Sequence, residues 1–90
     1  MAKRYDVAIK VISQQGHCAA GLKEGDEWII SGSLTPTGIC LSGFDAMFPK
    51  LMVLTFGSTF SWEDDPDIIT SACPDAKNPL VFELKRLPKK

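Results

Sequence analysis

The sequence predicts an α+β domain: a small antiparallel or mixed sheet of about four strands, in the order β-β-α-β-β, with one kinked helical segment packed on a face. Three observations carry this expectation. Near both ends, "RYDVAIKVIS" and "LVFELKRL" alternate apolar and polar residues with the two-residue period of a half-buried strand. In the middle, "ICLSGFDAMFPKLMVLTFG" changes to three- and four-residue steps, the period of an amphipathic helix. Glycine- and proline-bearing turn segments separate these from shorter β-branched runs, so hairpin-like connections flank one helix and its apolar side covers the sheet. Ninety residues make a single domain, 1–90. Chains of this size bury roughly 60–68% of their unfolded surface, enough for one core without a metal or disulfide.

Each element has its own local reason. In the first strand Tyr5, Val7, Ile9 and Val11 share a face, and β-branched residues favour the pleated backbone. "QQGHCAAGLKEG" reads as a loop, and Gly25-Asp26 as a turn into a second strand, "DEWIISG", with Trp28 and Ile30 on one side. "SLTPTG" carries turn chemistry. The helix is expected to begin near Cys40 to Ser42, where Ser42 with Asp45 three residues on resembles a capping box. Pro49 lacks an N–H and disfavours helical backbone at Phe48, so a kinked helix or two helical pieces are both open. Gly57 would cap the end, and a strand for "LMVLTF" competes. "IITSA" is a third strand, "CPDAKNP" a turn, and Leu80, Phe82 and Leu84 form the apolar face of the last strand.

Composition narrows the function classes. At 44% hydrophobic and 23% charged, the chain has the make-up of a globular protein rather than a disordered one. The longest uncharged stretch, Leu51 to Trp62, is interrupted by polar residues and falls short of the ~18–20 apolar residues of a membrane span. "MAKRYDV" has no apolar block of the secretory kind, so a cytoplasmic protein with no membrane partner is expected. Three cysteines, an odd number, then favour reduced thiols over a disulfide scaffold. Lys3, Arg4, Lys85, Arg86, Lys89 and Lys90 lie at the two ends and would form one basic patch if the end strands pair. No aromatic residues interleave with them, so nucleic acid is not an expected partner. A protein partner or a homo-oligomer stays open. Glu63, Asp64, Asp65 and Asp67 form an acidic run without the ligand spacing of a calcium loop, and read as a solvated loop.

The thiols are the main chemical candidates. Cys18 precedes the second strand, Cys40 stands at the helix start, and Cys73 precedes the last strand. Thiolates that converge from such positions, with His17 as a further ligand, would suit zinc or iron. Their gaps of about twenty and thirty residues include no local pair of the C-x-x-C kind. The competing reading is that each cysteine fills a small apolar space in the core. Cys40 has a separate reading as a redox-active thiol, because a helix N-terminus stabilises thiolate. Adjacent His17 and Cys18 do not make a catalytic dyad, since neighbouring side chains diverge in an extended chain, and no triad or phosphate loop is present. An enzyme is thus not the expected class. A non-catalytic binding or accessory module is the alternative, with Trp28, Trp62, Phe56 and Phe60 forming an aromatic surface and the cysteines only structural.

The runs "CAAGLKEGDEWIISG", "TPTGICLSGFDAMFPKLMVLTFG" and "WEDDPDIITSACPDAKNPLVFELKRL" together resemble an uncharacterised family of short bacterial and archaeal proteins with three spaced cysteines and no assigned function. The resemblance spans about Tyr5 to Leu87, with Cys18, Cys40 and Cys73 at the three cysteine positions and Gly25, Asp26, Gly57 and Trp62 also matching. Some relatives carry histidine at the position of Asp45 or cysteine at that of Ala72; this chain has neither.

Overall fold

The computed structural model describes residues 5–16, 21–31, 38–73 and 77–87. The elements run β1 (Val7–Gln14), β2 (Glu27–Ile30), α1 (Leu41–Thr55), β3 (Ile68–Ala72) and β4 (Leu80–Arg86). The four strands form one sheet in the order β2-β1-β4-β3, with every neighbouring pair antiparallel. The chain order matches the expected β-β-α-β-β, and the sheet is antiparallel rather than mixed.

The two-residue alternation sets one face toward the helix. Val7, Ile9 and Val11 of β1 are buried, as are Leu80, Phe82 and Leu84 of β4. The register stacks them across strands: Ile9 opposes both Trp28 and Leu84, and Val11 opposes Phe82. From α1, Met47, Leu51 and Leu54 close over this face. Burying side chains of this kind contributes about 1.5–3 kcal/mol each, which is why a sheet of short strands holds together. An extra residue between Val11 and Ser13 forms a bulge where β1 meets β4.

The helix starts within the expected span but without the expected cap, and of the readings open at Pro49 it takes that of one continuous element. Its N-cap is Cys40, not Ser42, and it has no side-chain cap hydrogen bond; the box of Ser42 and Asp45 does not form. It also runs unbroken from Leu41 through Pro49 to Thr55, so "LMVLTF" is not a strand. Pro49 is exposed, and the carbonyl it leaves without a helical donor belongs to exposed Asp45, where water can take the bond. Burial of Leu51 and Leu54 then outweighs the local β-branched and proline preferences. The helix ends as expected at Gly57, whose φ of 82° is left-handed. Gly57 N–H donates to Leu54 O at 3.1 Å and Ser58 N–H to Val53 O at 3.0 Å, the paired bonds of a Schellman cap.

Gly43 lies against the Phe82 ring and Leu54 O against Arg86. The helix therefore travels alongside β4 in the same sense. One end of the sheet gathers the start of α1, the exit of β1, the exit of β3 and the start of β4. No helix among the described residues is long and apolar enough to cross a membrane.

Candidate functional site

The gathered end holds two of the three cysteines. Cys40 sits at the start of α1, and Cys73 directly follows β3, extending its ladder by an N–H to Leu80 O bond of 2.8 Å. Both are half-buried against the same core cluster, and neither forms a disulfide. The exit of β1 is fixed here too. Gln15 N–H donates to Pro79 O at 2.9 Å, and Gly16 has a φ of 71°. A Cβ at Gly16 would collide with the Asn78 side chain, and the left-handed backbone there favours glycine. His17 and Cys18 lie outside the described residues. Among the described residues, no group of three or more His, Cys, Asp or Glu side chains could hold a metal ion.

The opposite end corrects the reading of the basic termini. Arg86 is buried, 8% exposed, and belongs to no surface patch. Its Nε donates to Asp67 Oδ1 at 2.9 Å; one terminal nitrogen donates to Leu54 O at 3.2 Å and Ser58 O at 2.9 Å, and the other to Pro66 O at 2.8 Å. The guanidinium also lies 5.3 Å from the centre of the Tyr5 ring. One cation thus joins β4 to the helix C-terminus, where positive charge is favoured, and to the loop before β3. The acidic run is in turn not wholly solvated. Asp65 Oδ1 accepts the Asp67 N–H at 2.9 Å, and this turn presents Asp67 to Arg86. The pairing was signalled by position: residue 86 is in phase with Leu80, Phe82 and Leu84 on the buried face. An open cleft of about 310 Å³ lies here, lined by Tyr5, Gly57, Asp67, Lys85, Arg86 and Leu87. Its buried cation is already compensated from within the chain. Lys3, Arg4, Lys89 and Lys90 lie outside the described residues.

The aromatic candidates divide. Trp28 is half-buried, with its ring 6.5 Å from Phe82, and belongs to the core. Trp62 is 70% exposed, with its ring tilted at 52° and 5.1 Å from that of Phe60. Phe56 is exposed as well, and Leu41, Phe48 and Met52 bring further apolar surface to the outer side of α1. Sequence reasoning missed this second stripe, because the period alone does not say which of two apolar sides of a helix meets the sheet.

Comparison with known protein families, curated proteins and solved structures finds no match to this chain.

Proposed function

We propose that the protein is a small thiolate metal-binding protein that holds zinc or iron through Cys18, Cys40 and Cys73, with His17 as a further ligand. One observation carries the reading: the start of α1, the exit of β3 and the exit of β1 occupy the same end of the sheet. What supports it is that chain segments far apart in sequence, the ends of α1, β3 and β1, meet at that end, so ligands without a C-x-x-C spacing have a place to converge. Thiolates and imidazole are the donors that favour zinc and iron over calcium or magnesium. Membership in the three-cysteine family is part of the same proposal. Ala72, where some relatives carry cysteine, pairs with Val81 on the side of the sheet away from α1, so its lack of a thiol removes no donor from the helix-facing side.

The test is elemental analysis of the chain purified without a metal-affinity tag, joined to cobalt titration read by thiolate charge-transfer absorption. One metal per chain, lost on replacing Cys18, Cys40 or Cys73 with serine, is the expected result. A folded protein that is metal-free and takes up neither zinc nor cobalt overturns it. The second reading is a non-catalytic binding module, and the exposure of Trp62 at 70% favours it. A metal-free folded chain moves the conclusion to that reading.

A further inference from the structure

We infer that the sheet face turned away from α1 is a self-complementary interface, and that a second copy of this chain docks on it. An antiparallel sheet with one face in water is expected to place polar residues there. This face instead carries Ala8, Ile29, Ile68, Ala72 and Val81 between its charges, with Ile12 exposed at the bulge. Ile29 is 55% exposed and Ile12 42%. No described residue covers them.

The occupant follows from the charge pattern. The paired registers give one row across the sheet of Glu27, Lys10, Glu83 and Thr70, and the next of Ile29, Ala8, Lys85 and Ile68. Within the strands two lysines and two glutamates balance on this face, and in the first row the signs alternate from Glu27 to Lys10 to Glu83. A partner of uniform charge would meet as much repulsion as attraction. A second copy does not. A two-fold axis parallel to the strands, between β1 and β4, sets each β1 on the other copy's β4 and each β2 on the other's β3. Lys10 then faces Glu83 of the second copy, and Glu83 faces its Lys10. Ile29 meets Ile68 of the second copy twice over. This is the isologous form in which one patch serves both subunits, and aligned sheets pack their inner faces in this way.

Sedimentation velocity on the full chain across the micromolar to millimolar range tests this. The wild type is expected to be a dimer. Lys10→Glu and Glu83→Lys, each folded by thermal melt, are each expected to weaken association by about tenfold or more, since two like-charge contacts arise by symmetry. Mixing the two variants is the decisive arm. Each new charge then faces an opposite one across the interface, and dimer returns as a heterodimer, although repulsion within each chain is unchanged. Should either charge variant fail to fold, Ile29→Asp on the edge strand carries the same expectation of a monomer. A wild type that stays monomeric overturns the inference. So do single variants as dimeric as the wild type, and a mixture that remains monomeric.

Discussion

Replacing Arg86 with methionine keeps the stem that packs in the core and removes the guanidinium. Four hydrogen bonds are lost, to Asp67, Leu54, Ser58 and Pro66. The Asp67 side chain is 51% exposed, so the ion pair itself contributes about 1 kcal/mol or less. The larger cost comes from the carbonyls. Hydrogen bonds from a charged donor contribute about 1.5–3 kcal/mol each, and three carbonyls lose one, Leu54 O being left with the Gly57 N–H alone. Water at the open cleft recovers part of that loss, and we expect Arg86→Met to cost about 3–5 kcal/mol in total. With a urea slope of roughly 1–2 kcal/mol/M for a chain this small, the unfolding midpoint drops by about 1.5–5 M. Arg86→Lys keeps the charge but not the fork that reaches four acceptors, and recovers less than half of the loss. Asp67→Asn costs about 1 kcal/mol or less. Urea unfolding of the three variants, followed by circular dichroism, decides the matter. A loss below about 1 kcal/mol for Arg86→Met, or an Asp67→Asn loss equal to it, would refute the assignment of the carbonyls as the main acceptors.

Four further outcomes follow from the geometry. Gly43→Ala gains helix propensity but sets a Cβ 2.9 Å from the fully buried Phe82 ring, so a net loss of about 1–3 kcal/mol in urea unfolding is expected. Pro49→Ala restores a helical N–H at an exposed position and raises stability by about 1–3 kcal/mol; a lower melting temperature would show that the proline shapes the helix against the sheet. Trp62→Ala changes stability by no more than about 0.5 kcal/mol, because the ring is mostly in solvent, and a larger drop in the denaturation midpoint would place it in the fold. If the thiols hold a metal, chelation speeds hydrogen exchange in the first turn of α1 and leaves the β4 amides around Leu84 unchanged; uniform acceleration would argue against a site at that end.

Much of the architecture was legible because it depends on period. The alternation of β1 and β4 and the change of step between Cys40 and Thr55 reflect which side chains reach the core, and nothing overrides them. Local preferences were poorer guides. Pro49 and the run Leu51 to Phe56 argue against one helix, yet Leu51 and Leu54 are both buried against the sheet, and tertiary burial decides. Ser42 resembles a cap, but the chain turns two residues earlier, at Cys40. Arg86 shows the other limit. Its charge suggests solvent and its phase suggests the core, and the phase prevails because Asp67 and three carbonyls are waiting there. Those acceptors come from two separate stretches of chain, 54–58 and 66–67, a coincidence that spacing cannot reveal.

The two ends of the sheet are held in different ways, and the difference bears on what a metal would do. At the Arg86 end, one side chain ties the helix, the loop before β3 and β4 together. Tyr5 N–H adds a bond to Thr55 O at 2.8 Å and Leu87 N–H one to Asp6 O at 2.8 Å. At the cysteine end, the backbone bonds run between strands, from Gln15 to Pro79 and from Cys73 to Leu80. Neither of these two reaches α1, and the N-cap residue Cys40 makes no side-chain cap hydrogen bond. Helix starts left in that condition carry unsatisfied N–H groups and fray. A ligand that joined Cys40 to thiols on the strand side would add a polar tie between helix and sheet to the packing of Gly43 on Phe82, as the guanidinium does at the far end. On that argument a metal would act first on the order of this end of the molecule, and any chemistry would be secondary to holding α1 in place.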